Sequence, residues 1–231
     1  VLGAEAVSFF RSLINLTNLE IEGIYTHFST ADSDADYVAE QVKRFKGVLM
    51  PLRAAGFTFK YVHAANSAAT LLNRANHFNA VRVGLAMYGL SPSATVPVPS
   101  HFKPVMTWKS VVAQVKTLPA GHPIGYGNTY VTKDEERVAM IPVGYSDGMR
   151  RAPSHQGHVL IHGQIAPIRG RVSMEKTVVD VTHIPNVAIG DEVVLLGKQG
   201  DRVITADDIA ARLGTINYEV ITNILARTPR R

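Results

Sequence analysis

The sequence has no cysteine, a single tryptophan and no apolar run long enough to cross a membrane. Without cysteine there is no disulfide bond, no thiolate metal site and no cysteine nucleophile. This composition fits a reducing cytoplasm, where we expect the protein to be located. A basic block is also absent, because the formal net charge of +5 comes from scattered lysine and arginine. We therefore expect neither a nucleic acid nor a membrane as a partner.

The order of the sequence patterns divides the 231 residues into two parts. Helical and strand patterns alternate over residues 1–92, which predicts an α/β domain with a parallel sheet. Residues 93–104 are rich in proline and serine and are expected to form a linker. Short β patterns separated by turn signals then predict a mainly β domain at residues 105–231. Because the chain begins with Val1 and runs straight into a helical pattern, we expect its true beginning to be missing.

Three helices and four strands are predicted in the first part. An amphipathic helix covers residues 7–14, and a short helix starts at Asn66-Ser67. The longest helix is expected to begin at a capping box formed by Ser33 and Asp36 and to end at Gly56. The strands are expected at residues 20–28, at 59–65, around Val81 and at 86–90.

In the second part, six strands and two helices are predicted. His162-Gly163 and Gly200-Asp201 are typical of tight hairpin turns. One helix is expected to be capped by Thr205 with Asp208, and the other to run from Asn217 towards Leu225. The strands are expected at residues 105–117, 137–143, 158–161, 165–170, 177–181 and 192–196.

Polar residues stand at the ends of three predicted strands: His27, Ser67, and Arg82 with Gly84. The carboxyl ends of parallel strands meet at one edge of a sheet, and ligands bind there. Arg82 interrupts an apolar run, so its guanidinium needs an acceptor, which is either a ligand or a carboxylate in the core. Ser67 is either a helix N-cap or a phosphate ligand, and His27 is either a structural or a catalytic residue.

In the second part, three loops present candidate functional side chains. Tyr126 stands between two glycines, Tyr145 lies in PVGYSDG, and Met174 lies in GRVSMEK. Glycine and small polar residues break a β pattern where a loop reaches a ligand, although a turn with an incidental tyrosine is the alternative. Tyr218 is expected in the first turn of the last helix, a position that favours packing in the core over contact with a ligand.

Seven short sequences occur together and in order: YTHFSTAD, HAANSAAT, NAVRVGLAMYGL, GYGNTY, PVGYSDG, GRVSME and TINYEV. With them the chain resembles the C-terminal part of the bacterial alanine racemases, from about Glu20 to Tyr218. The resemblance implies the second half of a TIM-type β/α barrel followed by a mainly β domain. It also implies pyridoxal 5'-phosphate as cofactor and the interconversion of L- and D-alanine for peptidoglycan synthesis.

The same resemblance implies which residues hold the cofactor. Arg82 is expected to face the pyridine nitrogen, which a guanidinium keeps unprotonated. Ser67, the amides of Gly84 and Leu85, and Tyr218 are expected to hold the phosphate.

The implied reaction moves a proton on both faces of the substrate α-carbon, and one side chain does not easily serve both. Tyr126 is expected to be one base, tuned by a polar network that contains His27, and the lysine that binds the cofactor is expected to be the other. By the family pattern, Tyr126 and Met174 reach the active site of a neighbouring subunit. There the Met174 amide meets the substrate carboxylate and Tyr145 lines the mouth of the site, so a head-to-tail homodimer is expected.

The sequence departs from the family pattern in two ways. Glu175 stands where the family usually has aspartate. The cofactor lysine and an arginine that supports the catalytic tyrosine have no match here, so we expect a fragment that is inactive alone. Two other hypotheses remain open, a racemase of broader amino-acid or serine specificity with the same fold, and a non-catalytic binding or partner module.

Overall fold

The computed structural model describes residues 1–151 and 157–231. The chain divides into two units, Val1–Val105 and Met106–Arg231. Each unit has its own cluster of buried apolar side chains, and therefore a hydrophobic core of its own. No helix in the described ranges is long and apolar enough to span a lipid bilayer.

The first unit is built on two short parallel strands. Ile24 pairs with Val62, and an isolated parallel bridge joins His63 to Ala80, next to the position predicted for a third strand. The predicted parallel sheet is therefore present, although its strands are shorter than the apolar patterns. The elements are α1 (Ala6–Leu13), β1 (Gly23–Tyr25), α2 (Ala35–Ala54), β2 (Tyr61–His63) and α3 (Ser67–Leu72).

The proline- and serine-rich stretch at residues 93–104 packs against this first unit. The hydroxyls of Ser93 and Thr95 both donate to the carbonyl oxygen of Asp32. The Val96 side chain is buried and joins the core of the unit. The change from one unit to the other falls after this stretch, at Val105.

The N-cap of α2 lies one residue after the predicted N-cap, Ser33. The carboxylate of Asp34 accepts a hydrogen bond from the N–H of Tyr37 at 2.9 Å, which makes Asp34 the N-cap. The predicted capping box of Ser33 and Asp36 is wrong, since the Ser33 hydroxyl donates to the carbonyl oxygen of Thr30. Serine and aspartate are N-caps of similar strength, so the sequence does not distinguish between adjacent candidates.

The apolar run after Gly84 folds into a turn of 3-10 helix, Leu85–Tyr88, and the strand predicted at residues 86–90 is wrong. A run this short has no period that separates a strand from a helix. The turn ends at Gly89, whose φ of +72° lies in the left-handed region. A Cβ at Gly89 would lie 2.0 Å from the carbonyl oxygen of Lys103, so the position requires glycine.

The second unit is mainly β, as the sequence predicts. Its elements are β3 (Trp108–Val111), β4 (Gln114–Leu118), β5 (Pro123–Ile124), β6 (Tyr130–Val131), β7 (Glu136–Ile141), β8 (His158–Ile161), β9 (Gln164–Pro167), β10 (Thr177–Asp180), β11 (Glu192–Gln199), β12 (Arg202–Ile204), α4 (Ala206–Leu213) and α5 (Asn217–Thr222). Strands β10, β7 and β4 form one sheet. Strands β12, β11, β8 and β9 form another, in which β3 also pairs with β11, and β5 and β6 form a hairpin.

The single strand predicted at residues 105–117 is in fact two strands that belong to different sheets. Between them Val112 is completely buried, donates to the carbonyl oxygen of Asp191 and accepts from the N–H of Gly190. The backbone stays extended on both sides of this crossing, so the β pattern continues through it. The sequence therefore predicts the extended conformation but not the change of sheet.

Both predicted hairpin turns are confirmed. His162 and Gly163 join β8 to β9 with φ values of 51° and 72°, and a type I′ turn requires positive φ at both positions. Gly200 and Asp201 join β11 to β12 in the same two-residue manner.

The two late helices are also present. Thr205 and Asp208 form the predicted capping box, in which each side chain bonds to the backbone N–H of the other residue. The last helix is shorter than predicted and ends at Thr222. It does not reach Leu225 because the N–H of Leu225 donates to the carbonyl oxygen of Asp147.

The Gly89→Ala substitution is expected to destabilise the first unit by about 2 kcal/mol or more, because it adds a clash to an unfavourable φ. Gly47→Ala is the matched control: Gly47 lies inside α2, and no atom lies within 4 Å of the place that the new methyl group would take. That change is expected to stabilise the helix by about 0.5–1 kcal/mol. Urea denaturation followed by circular dichroism measures both, and equal effects would contradict this account of Gly89.

Candidate functional site

Arg82 is held at the ends of β1 and β2 by acceptors that carry no formal charge. Its guanidinium donates to the carbonyl oxygens of Thr26 and Ala64, at 3.2 and 3.3 Å. It also contacts Nδ1 of His63 at 2.6 Å and Nδ1 of His27 at 2.9 Å. Arg82 forms no ion pair with any residue that the structure describes. The alternative of a carboxylate partner in the core is therefore not found among those residues.

The chemistry of the side chains decides which atoms around Arg82 donate hydrogen bonds and which accept them. A guanidinium has only donors, so the Nδ1 atoms of His27 and His63 must be the acceptors. An imidazole that accepts on Nδ1 keeps its proton on Nε2. The two rings thus satisfy part of the hydrogen-bonding capacity of the guanidinium without neutralising its charge.

Two members of this group, Tyr25 and His63, were not among the predicted site residues. Their rings are stacked, with centroids 5.2 Å apart and planes 5° from parallel. Cζ of Arg82 lies 5.2 Å from the centre of the Tyr25 ring, a cation–π arrangement. The sequence did contain a signal for both residues. Tyr25 stands two residues before His27, and side chains two residues apart in an extended chain share a face. His63 stands at the end of β2, just as His27 stands after the end of β1.

Burial lowers the pKa of His63, and the positive charge of Arg82 lowers it further. His63 is therefore held in the neutral form that accepts from Arg82. The folded-state pKa of His63 lies below the unfolded value of about 6.5. The contribution of the neutral His63 imidazole to the stability of the fold is therefore present above about pH 6.5. It is lost as the pH falls through the folded-state pKa of His63.

Ser67 lies at the start of α3 and is 4% exposed. The N-cap of this helix is Asn66, whose side chain accepts from the N–H of Ala69, so the N-cap interpretation of Ser67 is wrong. The Ser67 hydroxyl oxygen accepts instead from the N–H groups of Gly84 and Ala86, at 3.0 and 3.3 Å. These bonds join α3 to the 3-10 turn that follows Arg82.

The same arrangement leaves one hydroxyl hydrogen beside an open stretch of backbone. Two backbone N–H groups use the lone pairs of the Ser67 oxygen, which leaves its hydrogen as a donor. Gly84 is exposed, and no atom lies within 4 Å of the place where a Cβ would stand, so a ligand can approach the backbone. Leu85, the other residue predicted here, is buried. No group of three or more metal-binding side chains occurs in the described ranges.

Tyr126 lies in the loop between β5 and β6 and is 64% exposed. Gly125 and Gly127 on either side of it have φ values of 78° and 73°. A Cβ on Gly125 would lie 2.9 Å from the N of Arg171, and one on Gly127 would lie 2.6 Å from its guanidinium. Glycine on both sides therefore lets the loop lie against Arg171 while the phenol ring projects outward.

Tyr145 and Met174 lie on two neighbouring loops of the second unit. The Met174 carbonyl oxygen accepts from the N–H and the hydroxyl of Ser146, at 2.9 and 2.8 Å. The N–H of Tyr145 donates to the carbonyl oxygen of Ser173. Both predicted side chains are exposed, at 37% for Tyr145 and 57% for Met174. The structure thus brings these two residues to one region of this unit.

Glu175, the departure from the family pattern, has a structural partner. Its carboxylate accepts from the guanidinium of Arg227 at 3.2 Å, and Arg227 also pairs with Asp147 at 3.1 Å. The longer side chain therefore ties the Met174 loop to the end of the chain. The pair of Arg227 with Glu175 is exposed on both sides and contributes little stability, so its effect is to orient the loop.

Tyr218 lies in the first turn of α5 and is 37% exposed, so its ring is not enclosed in the core. Next to it, Glu219 pairs with Arg150 and accepts from the hydroxyl of Thr215. Hydrogen bonds from Thr215 lower the pKa of Glu219, and Arg150 acts in the same direction. The start of α5 is thereby fixed to its surroundings on both sides of Tyr218.

These features define a class of protein. An α/β unit presents a guanidinium without a carboxylate partner at its strand ends, next to a buried serine hydroxyl that accepts from two backbone N–H groups. A mainly β unit follows in the chain, with exposed tyrosines on its loops. Two family models match this division, the alanine racemase N-terminal domain over residues 1–92 and the alanine racemase C-terminal domain over residues 105–231. The chain belongs to the alanine racemase family.

Individual relatives agree with this assignment. An alanine racemase of Halothermothrix orenii is 45% identical over 227 residues, which is 98% of this chain and 60% of that protein. One of Carboxydothermus hydrogenoformans is 46% identical over 98% of this chain and 62% of its own length. The crystal structure of alanine racemase from Bacillus anthracis with bound L-Ala-P matches with a TM-score of 0.90 and 42% identity, over 97% of this chain and 58% of that one. The chain thus spans about three-fifths of the length of these relatives.

An NMR titration of the His63 imidazole is expected to give a pKa below 6.5, because burial and the charge of Arg82 both lower it. Arg82→Met is expected to raise that pKa, since one of the two causes is removed. Arg53→Met, on exposed α2 surface of the same unit, is expected to leave it unchanged. A pKa that did not respond to Arg82→Met would show that His63 is not coupled to the guanidinium.

Proposed function

We propose that this chain is part of an alanine racemase that uses pyridoxal 5'-phosphate. The observation that carries the proposal is the group around Arg82, a guanidinium with neutral partners, beside the converging amides at Ser67. Such a pair of sites, one positive and one that offers the Ser67 hydroxyl hydrogen beside an open backbone at Gly84, suits a ligand with an acceptor at one end and a phosphate at the other. Family membership supports the same assignment.

The residues of this chain fit that cofactor. Ser67 and the amides of Gly84 and Leu85 would bind the phosphate, with Tyr218 as a further donor. Arg82 would donate to the pyridine nitrogen, and a guanidinium, which has only donors, would keep that nitrogen an acceptor. When bound, the cofactor supplies electron withdrawal from the substrate α-carbon. Because Arg82 would leave the ring nitrogen unprotonated, that withdrawal would be restrained, which would discourage side reactions.

Proton transfer is assigned to Tyr126 on one face of the substrate. Its exposed phenol on a glycine-bounded loop is suited to reach a ligand rather than to pack in a core. His27, which contacts Arg82, belongs to the polar network on the cofactor side. Met174 would orient the substrate carboxylate through its amide, and Tyr145 would line the mouth of the site.

The base on the other face would be the lysine that binds the cofactor. None of the lysines of the first unit contacts the Arg82 group: Lys43 and Lys46 lie on α2, and Lys60 pairs with Glu22 at 3.5 Å. Lys103 donates to the carbonyl oxygen of Ser100. The lysines from Lys109 onward belong to the mainly β unit. We therefore assign the cofactor lysine, together with the other half of a TIM-type barrel, to the part of the relatives' length that this chain does not span.

The remaining features of the proposal concern the whole protein. A head-to-tail homodimer would bring Tyr126 and Met174 of one subunit to the cofactor of the other. The substrate would be alanine, the product D-alanine would serve peptidoglycan synthesis, and the enzyme would act in the cytoplasm. The alanine racemase from Bacillus anthracis, which has L-Ala-P bound, supports the choice of amino acid.

The test is racemisation by the complete protein supplied with pyridoxal phosphate, with D-alanine formed from L-alanine measured by chiral chromatography. Alanine is expected to turn over and serine to turn over at least tenfold more slowly. Residues 1–231 alone are expected to give no product, because the second base is absent. Faster turnover of serine would favour the racemase of broader specificity. No turnover of either amino acid would favour the non-catalytic module.

Tyr126→Phe in the complete protein is expected to slow α-hydrogen exchange of one alanine enantiomer by roughly 100-fold or more, and to affect the other much less. Deuterium incorporation in heavy water measures each enantiomer separately. Tyr37→Phe, an exposed tyrosine on α2, is the control and is expected to change neither. Equal losses for both enantiomers would make Tyr126 a structural residue.

A further inference from the structure

Beside the Tyr126 loop lies a cluster of four polar side chains that the assignments above do not use, here called the Arg169 cluster: Glu136, Tyr130, Arg169 and Asp180. The Tyr130 hydroxyl lies 2.7 and 2.9 Å from the two carboxylate oxygens of Glu136. Cζ of Arg169 lies 4.6 Å from the centre of the Tyr130 ring. The guanidinium of Arg169 also donates to Asp180 at 2.7 Å. These contacts link the end of the loop to β7 and β10.

Three consecutive residues support the loop at three different points. Arg169 lies against Tyr130, which is the first residue after the loop and pairs with Ile124 across the hairpin. A Cβ on Gly170 would lie 2.5 Å from the Ile124 carbonyl oxygen, so the backbones are in close contact there. Arg171 donates to the carbonyl oxygen of Tyr126 at 3.4 Å. Both ends and the middle of the loop therefore rest on the segment from Arg169 to Arg171.

Within the Arg169 cluster, Arg169 is paired with Asp180, and the Tyr130 hydroxyl is a donor to Glu136. Burial raises the pKa of Tyr130 to about 12, and the hydrogen bond to Glu136 acts in the same direction. Burial alone would raise the pKa of Asp180, but hydrogen bonds from Thr182 and Arg169 outweigh it, and the net shift is downward. Neither group changes charge near neutral pH. The cluster is therefore unsuited to proton transfer and suited to a fixed support.

We propose that Arg169 is a positioning residue, which holds the Tyr126 loop by stacking on Tyr130 while Asp180 fixes its guanidinium. The proposal rests on the proposed role of Tyr126 in proton transfer. A phenol that must reach one face of an α-carbon depends on loop position to about 1 Å, and such a displacement is costly to the rate. Arg171 contacts the loop backbone directly, whereas Arg169 acts through the side chain of Tyr130.

The experiment compares Arg169→Met and Arg169→Lys in the complete protein loaded with pyridoxal phosphate. Arg169→Met is expected to lower kcat for alanine by roughly 10- to 100-fold with a change in KM below about threefold. The loss is expected on the enantiomer whose α-hydrogen exchange depends on Tyr126. Arg169→Lys keeps the charge beside Asp180 but loses the planar group, and is expected to restore the rate in part. Lys109→Met, which removes an ion pair with Glu192 in the same unit, is the control.

A second measurement does not depend on catalysis. Hydrogen–deuterium exchange of the backbone at residues 125–129, followed by mass spectrometry without substrate, is expected to be at least about tenfold faster in Arg169→Met and to increase less in Arg169→Lys. Lys109→Met is expected to leave it unchanged. Unchanged exchange in Arg169→Met, or equal loss for both enantiomers, would overturn the proposal. If the parent protein does not racemise alanine, the proposed function fails, and loop exchange alone decides whether Arg169 holds the loop.

Discussion

The guanidinium of Arg82 is the constraint to which the first unit is adapted. A charge placed at the ends of two strands is costly unless acceptors meet it. Here two carbonyl oxygens and two imidazole nitrogens do so, and none of them neutralises the charge. The consequence extends through the unit, because His27 and His63 must keep Nδ1 free of a proton, and burial of His63 helps to ensure this. A site of this kind is electrostatically incomplete without a ligand that brings an acceptor.

Backbone conformation is the corresponding constraint in the second unit. The loops that carry Tyr126 and Tyr145 approach neighbouring backbone too closely for a Cβ at Gly125, Gly144 or Gly170. Close contact of this kind leaves the loops little freedom to move, while the tyrosine rings stay exposed. The glycines therefore do more than permit a turn. They place rigid backbone beneath a side chain that has no packing of its own.

The sequence was most informative where a pattern has one physical meaning. Alternating helix and strand patterns predicted the parallel sheet, and glycine in a two-residue turn predicted the His162-Gly163 hairpin, because few other structures accommodate either. It was least informative where several residues satisfy one rule. Asp34 rather than Ser33 caps α2, because serine and aspartate are N-caps of similar strength. The run at residues 86–90 forms a 3-10 turn rather than a strand, because the hydrophobicity of so short a run does not distinguish the two. The change of sheet at Val112 depends on pairing with residues far along the chain, which no local pattern encodes.

The same limit explains which site residues were missed, and it separates two kinds of polar cluster. Tyr25, His63, Tyr130 and Arg169 gain their meaning from neighbours distant in sequence. In the Arg169 cluster the arginine has a carboxylate partner, Asp180, and Glu136 accepts from the neutral hydroxyl of Tyr130. Arg82 has no carboxylate partner within the described residues. We therefore assign the arginine that is paired with a carboxylate to support and the one that is not to binding, although each is stacked on a tyrosine.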